Sequence, residues 1–339
     1  MFAKLNLQMK LLQSQMRMAF KENTMAAAVE TMMYAGDVPW HGEGVYVGDQ
    51  NVHSKQALEA SGLEWEVEKR NIYAEGGIQI PDQRAVVRPM DESVLGIVGK
   101  NYNLLQNTEA FQFMDSLVDE GLMRYHTAGS LRNGKKIWVL GKIGQFEALP
   151  GDLVDKYILL YNSHDGSGAL RCLPTTVRVV CANTVAMALG KGRGEGIAVR
   201  HTRNMHSRMD EAKHIFGLAN NHLANVVDFS KALAQTQMTN DNWDTFANTL
   251  IPDPKEGNKK RAENARDKLQ SLYLMGRGQD LPGVRFTGWA AYNAVTEYVN
   301  YYRSSKGGQA NRFESALFGS GSNLVRKAET TLNDMLLAA

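Results

Sequence analysis

The spacing of hydrophobic residues changes along this chain, and that change constrains its fold more than any other feature. In the N-terminal half, short apolar runs flank turn-forming residues, most clearly around Asn133-Gly134, a dipeptide typical of two-residue β-hairpins. At residues 205–233, apolar residues instead recur every three or four positions, which is typical of one face of a long helix. Further helices are predicted at residues 54–60, 107–120, 243–250, 289–302 and 322–337. The sequence therefore predicts an α+β fold, an antiparallel sheet with packed helices followed by a helical C-terminal region.

Length and composition indicate a folded protein with one large or two ordinary domains. Its 339 residues are 43% hydrophobic, enough to bury a substantial core. We predict an N-terminal extension at residues 1–24, an α+β core domain at residues 25–233 and a helical C-terminal region at residues 234–339. Met25 offers a second plausible start, so we assign the extension no function.

Two features bear on where the protein works. The chain has only two cysteines, Cys172 and Cys181, too few for a disulfide framework and consistent with a reducing cytoplasm. The sequence has no apolar run near the roughly 18 residues needed to span a membrane, and no secretory signal pattern. We expect a cytoplasmic protein without a membrane partner.

Residues 157–189 predict a hairpin followed by a helix. A strand is expected at residues 157–161, and residues 169–173 can return as its partner after a turn-rich segment. Pro174 fits the first turn of a helix, where its missing N–H costs nothing. Val177, Cys181 and Ala188 then recur at helical spacing before Gly190. This helix would pack on the hairpin and form the centre of the core.

Positive charge is concentrated between Arg171 and Arg208. This stretch holds seven Lys or Arg residues against one acidic residue, Glu195, although the whole chain has a net charge of only +2. Four glycines alternate through residues 190–196, giving a backbone able to approach a partner closely and offer N–H groups to phosphate oxygens. The candidate nucleic-acid contacts are Arg171, Arg178, Lys191, Arg193, Arg200, His201 and Arg203, with Lys135 and Lys136 as secondary candidates. The alternative is a solvated flexible loop whose charges serve solubility.

Other chemistry finds weaker support. Residues 129–136, GSLRNGKK, lack the hydroxyl that a phosphate-binding loop places after its lysine, and they lead into a strand. His206, Asp210 and His214 share a side of the long helix, but that side lies off its apolar stripe. Cys181 falls on the apolar stripe of its own predicted helix, which is typical of an inert cysteine. We therefore predict no catalytic residues, no metal and no cofactor.

The aromatic residues near the C-terminus offer a second interpretation. Trp289, Tyr292, Tyr298, Tyr301 and Tyr302 fall on one predicted helix and cannot all face a core. The tyrosines beside the basic residues that follow suit base stacking or a subunit interface. Packing in a core, with ordinary exposure of the remainder, is the alternative.

Six separated strings resemble the phage/plasmid-like protein family, whose members occur in bacteriophage, plasmid and prophage genes and have no known activity. They are PWHGEG, VVRPMDESVLGIVGKNYNLLQN, TAGSLRNGKKIWVLGKI, LPTTVRVVCANTVAMAL, VRHTRNMHSR and GWAAYNAVTEYVNYYR. The resemblance covers residues 25–337 and implies a mobile-element protein working in a bacterial host. The core at residues 157–189 is also similar in architecture to single-strand annealing proteins.

These observations lead to a main hypothesis and two alternatives. The main one is a single-stranded DNA-binding protein, assembled as a homo-oligomeric ring or filament, that assists annealing, recombination or replication. The first alternative is a metal-dependent nuclease or hydrolase using His164, Asp165, His201 and His206. The second is a host-interaction protein that counters host defence without nucleic acid.

Overall fold

The computed structural model describes residues 29–36, 44–48, 52–167, 170–178, 183–185, 197–198, 205–304, 315–316 and 319–338. Antiparallel strands dominate the N-terminal part and helices the C-terminal part, so the predicted α+β class is confirmed. The predicted extension at residues 1–24 lies outside the described residues. The boundary between residues 233 and 234 remains a prediction, and one helix, Met205–Gln235, runs across it.

Eight strands form the larger sheet. They are β1 (Val29–Tyr34), β2 (Val45–Tyr46), β6 (Arg124–Leu131), β7 (Lys136–Leu149), β8 (Asp152–Ser163), β9 (Arg171–Arg178), β10 (Asn183–Val185) and β11 (Ile197–Ala198). Their order is β10-β9-β8-β7-β6-β1-β2, and β11 also pairs with β9. The pairings are antiparallel except that of β1 with β2. Neighbouring strands in the centre of the sheet are therefore joined by hairpins.

The two hairpins predicted from the sequence are confirmed. The turn between β6 and β7 places Arg132, Asn133 and Gly134 at φ values of 56°, 56° and 81°, the left-handed region that asparagine and glycine adopt most readily. The strand β8 pairs with β9 in the register Tyr161↔Arg171. The segment GSLRNGKK is thus a hairpin and not a phosphate-binding loop.

The prediction of a helix beginning at Pro174 is wrong, because Pro174 lies within β9 and pairs with Ile158 of β8. The β-branched residues Thr175, Thr176 and Val177 favour an extended backbone. On the outer edge of β9, the pairing with β11 extends to Cys172 and the pairing with β10 ends opposite Thr176, so among the described strands nothing pairs there with Pro174. A proline is tolerated at such an edge position because it has no N–H to donate.

A smaller sheet packs against the end of the larger one. It consists of β3 (Glu68–Ala74), β4 (Ile78–Arg88) and β5 (Ser93–Gly99), in the order β3-β4-β5. The turn between β4 and β5 contains the acidic residues Asp91 and Glu92. At Gly96 an added Cβ would lie only 2.5 Å from the Cα of Asp165, so a glycine allows the two sheets to approach this closely.

The described helices confirm the predicted ones to within a few residues, apart from the one at Pro174. They are α1 (Ser54–Ala60), α2 (Asn107–Asp119), α3 (Met205–Gln235), α4 (Asn240–Leu250), α5 (Lys260–Met275), α6 (Gly288–Glu297) and α7 (Ser320–Ala338). A π-helical turn, Tyr298–Tyr302, follows α6 directly. The N-terminus of α2 is capped by Gln106 and Glu109, which form a capping box.

Separate hydrophobic clusters hold these elements together. Helices α1 and α2 cover one face of the larger sheet, where Phe111 and Met114 pack with Ile158 and Leu160. The opposite face carries a cluster around Trp138. Helices α3 to α7 form their own core with the end of the sheet at which β7 ends and β8 begins. The core of the helical region therefore lies at one end of the larger sheet, and the opposite end lies outside that core.

Candidate nucleic-acid interface

Two strands within the basic stretch lie side by side. Arg171, the first residue of β9, pairs with Ala198, the last residue of β11. Because β11 runs antiparallel to β9, the chain leaves Ala198 towards the end of the sheet at which β9 begins. The sheet thus places Arg171 beside a residue that comes 27 positions later in the sequence.

Lys135 lies at the same end of the sheet. Its carbonyl accepts a 2.9 Å hydrogen bond from the His164 N–H, just beyond the pairing of Lys136 with Ser163. The Cα atoms of Lys135 and Arg171 are about 14 Å apart, from two strand spacings of about 4.8 Å and three residues of about 3.3 Å. Lys135 is exposed and Arg171 is partly exposed. We call this surface, formed by Lys135, Arg171 and the end of β11 at Ala198, the basic sheet end.

The remaining candidates are not all at this end. Arg178 ends β9 and pairs with Val154 and Asn183, about 23 Å along the strand from Arg171. One DNA-binding surface built from all the predicted residues would have to extend over this distance between Arg171 and Arg178. The candidates outside the described residues are Lys191, Arg193, Arg200, His201 and Arg203. Their assignment stays a prediction.

Lys136 differs from Lys135, because its side chain is buried with only 5% exposed. Its Nζ donates to Ser163 Oγ at 2.8 Å and to Asp165 Oδ1 at 2.9 Å, and it also donates to Ser167 Oγ. These three acceptors use the three N–H bonds of the ammonium group. In this arrangement Lys136 has no donor left for a phosphate and serves the turn between β8 and β9.

The carboxylate that meets Lys136 is firmly ionised. Burial alone would raise the pKa of Asp165, but hydrogen bonds from Ser163, Lys136 and Ser167 outweigh burial and lower this pKa to about 2. The charges of Lys136 and Asp165 therefore cancel near neutral pH. A lysine paired in this way cannot act as a base towards Ser163, so the cluster does not form a serine nucleophile.

His164 has a structural environment and not that of a metal ligand. Its Nε2 lies 2.9 Å from Oδ1 of Asn107, and its ring lies 5.2 Å from that of Trp65. Burial, more than the opposing charge of Asp165, lowers the pKa of His164 to about 4, so the ring is neutral at pH 7. Within the described ranges no group of three His, Cys, Asp or Glu side chains could hold a metal ion.

The other proposed ligands and the cysteines add little to a catalytic site. His201 lies outside the described residues, and of His206 only the backbone, in α3, is described. Cys172 is fully buried, and burial raises the pKa of its thiol to about 12. A thiol in this state is a poor nucleophile near neutral pH. Cys181 lies outside the described residues.

The aromatic residues near the C-terminus divide between core and surface. Trp289 and Tyr292 are buried and stack with ring centroids 5.8 Å apart, as expected for core packing. Tyr302 is 43% exposed, and Nζ of Lys268 lies 3.7 Å from its ring centroid. Sequence reasoning assigned no function to the charged helix that carries Lys268. The only signal was the density of cations at residues 259–268, which ordinary solvation also explains.

Comparison with known proteins places the chain in a family. The family model described as "Domain of unknown function (DUF932)" matches residues 94–330, more than half of the chain. No curated protein and no solved structure matches the chain significantly. In the described part, no helix combines the length and the apolar character that crossing a bilayer requires. The matched region includes every strand of the basic sheet end, and the chain belongs to the DUF932 family of domains of unknown function.

Proposed function

We propose that this protein binds single-stranded DNA through the basic sheet end. The observation that carries the proposal is the pairing of Arg171 with Ala198, because residues 171–198 hold four cations and one acidic residue, and three further cations follow by Arg208. Lys135 adds an exposed cation from a separate hairpin. Clustered positive charge of this kind is the electrostatic footprint of a phosphate-binding surface, even on a chain with little net charge.

The proposed activity is annealing or a related step in recombination or replication. Such a step needs no covalent chemistry, because cations that offset phosphate repulsion allow a held strand to meet its complement. We extend the proposal to a mobile-element protein of the bacterial cytoplasm, on the resemblance described above. A ring or filament of identical subunits would align the basic sheet ends along one strand.

The decisive experiment compares labelled single- and double-stranded oligonucleotides, titrated with salt and without divalent ions. We expect tighter single-strand binding whose logarithm falls linearly with the logarithm of the salt concentration. Combining Arg193→Glu with Arg200→Glu should weaken binding to all sequences and flatten the salt slope by about 0.7 for each lost phosphate contact. Lys135→Glu should do the same to a smaller extent. The matched control is Lys55→Glu, an exposed cation on α1 outside the basic sheet end.

The alternatives predict different results. Absence of binding at low salt would refute the proposal and favour a protein partner. Unchanged affinity in the double variant, or an equal loss in Lys55→Glu, would refute the site. Cleavage of DNA that depends on manganese or magnesium and is lost in Asp165→Asn would instead support the nuclease hypothesis.

A further inference from the structure

A cleft of about 620 Å³ opens in the helical region, well away from the strands of the basic sheet end. Its walls are the connection between α4 and α5, the exposed side of α5 and the π-helical turn that follows α6. This volume falls within the range of pockets that bind small molecules. Leu250, Ile251 and Leu324 give it an apolar floor.

The charged side chains that line the cleft are all positive. They are Arg261 and Lys268 on α5 and Arg303 after the π-helical turn, and no carboxylate belongs to the lining. In the described structure, Arg261 has no hydrogen-bonding or ion-pairing partner. The cleft therefore presents uncompensated positive charge.

The carboxylate on the connection between α4 and α5 that lies beside the cleft is already neutralised. Asp253 lies between two prolines of the lining, but its Oδ1 accepts a 2.7 Å hydrogen bond from Nη2 of Arg266, and Nζ of Lys259 lies 3.5 Å from Oδ2. Arg266 also donates to the carbonyl of Ile251 at 2.7 Å, which fixes the connection against α5. The connection thus forms one wall of the cleft without cancelling the charge of Arg261 or Lys268.

Two tyrosine rings add a second kind of recognition. Tyr298 and Tyr302 line the cleft, and Tyr302 is 43% exposed. Lys268 Nζ sits 3.7 Å from the Tyr302 ring centroid, a cation–π contact that holds both side chains at the cleft wall. Nη1 of Arg303 donates to Ser320 Oγ at 3.0 Å, which anchors the guanidinium and leaves its other N–H groups available to the cleft.

We propose that this cleft binds a nucleotide, with the base stacked on Tyr302 and the phosphate held by Arg261, Lys268 and Arg303. A simple anion would make no use of the tyrosines and the apolar floor, and an uncharged aromatic ligand would make no use of the three cations. A nucleotide carries a planar π-system and a phosphate on one molecule, and aromatic rings beside Arg and Lys are how proteins hold such units. The ligand is either a free nucleotide or one unit of a single strand.

The test measures binding of deoxyadenosine monophosphate by calorimetry. Arg261→Glu and Lys268→Gln should each weaken binding about tenfold, and Tyr302→Ala should weaken it about tenfold or more through lost stacking. The control is Arg285→Glu, an exposed cation of the same helical region outside the lining, which should bind like the wild type. Circular dichroism of each variant checks the fold. If another variant unfolds, the result for Lys268→Gln, the mildest change, tests the proposal.

Further arms separate the sources of the ligand. If Arg261→Glu also weakens binding of a deoxyadenosine oligonucleotide, the cleft holds a unit of a strand; if only the mononucleotide is affected, its ligand is free. Both results support the proposal. Lack of mononucleotide binding at millimolar concentration, equal losses in Arg285→Glu, or inorganic phosphate competing as well as the nucleotide would each overturn it. Variants of the basic sheet end should bind the mononucleotide normally, so either proposal can fail without the other.

Discussion

Replacing Glu329 by glutamine should remove a pH dependence from the stability of this protein. Glu329 lies on α7, and its Oε1 accepts a 3.0 Å hydrogen bond from the hydroxyl of Tyr292 on α6. Burial raises the pKa of Glu329 from an ordinary 4.5 to about 7, and the Tyr292 hydrogen bond and the charge of Arg326 offset only part of this rise. The folded state therefore binds a proton at Glu329 more tightly than the unfolded chain does.

The sign and size of the effect follow from this difference in proton affinity. A raised carboxyl pKa stabilises the fold fully below pH 4.5, and this contribution is lost as the pH rises to about 7. At about 1.4 kcal/mol per pKa unit, the full difference corresponds to about 3 kcal/mol. Since the Glu329 side chain keeps some contact with water, we expect about 2 kcal/mol.

Urea unfolding followed by circular dichroism at several pH values provides the assay. The gain in unfolding free energy of Glu329→Gln over wild type should be near zero at about pH 4.5 and about 2 kcal/mol at about pH 8. Subtracting the two proteins cancels other titrating groups. Glu256→Gln, at an exposed position in the connection before α5, should show no such trend. A Glu329→Gln difference that is the same at every pH would refute the reasoning.

Three further predictions concern the sheets and their junction with the helices. Gly96→Ala should destabilise the protein by about 2 kcal/mol, because its Cβ would meet the backbone of Asp165 at 2.5 Å; an unchanged melting temperature would contradict this. Cys172 should resist alkylation in the native protein at pH 8 and react after unfolding, since its thiol is buried with a pKa raised to about 12; rapid native labelling at Cys172 in a Cys181→Ala background would contradict this. Asp152→Ala should cost about 1–3 kcal/mol, because it leaves the buried indole N–H of Trp289 without its 2.8 Å acceptor; an unchanged urea midpoint would argue against that bond.

Local sequence signals identified most elements of the fold and failed where two of them conflicted. The Asn133-Gly134 dipeptide favours only a turn and the hydrophobic periodicity of α3 favours only a helix, and both are found in the structure. Around Pro174 a helical spacing competed with a run of β-branched residues. Pairing with β8 stabilises the strand over the helix, and this pairing partner exists only in the tertiary structure. The family match covers residues 94–330, and the resemblance of residues 25–337 to a phage/plasmid-like family stays a prediction.

At the basic sheet end, the positions of the charged residues are evident from the sequence, but the partners that neutralise them are not. Lys135 and Lys136 are adjacent and chemically identical in the sequence. In the structure Lys136 turns inward to Asp165, a partner 29 residues away, and Lys135 remains exposed. Lys136 is the first residue of β7, whereas Lys135 lies in the exposed turn before that strand, so one lysine of the pair is available to a ligand and the other is not.

In the cleft, the three-dimensional structure leaves cations unpaired, whereas at Lys136 it pairs one. Residues 251–268 hold six basic and four acidic residues. In the structure, Arg266 and Lys259 pair with the carboxylate of Asp253, and Arg261 and Lys268 line the cleft. A segment with a net charge of only +2 thereby yields a positive surface beside two tyrosines contributed from about 30 residues further along the chain. Net charge along a sequence window is thus a poor guide to binding sites, whereas pairing each carboxylate with its partner in space identifies the cations left for a ligand.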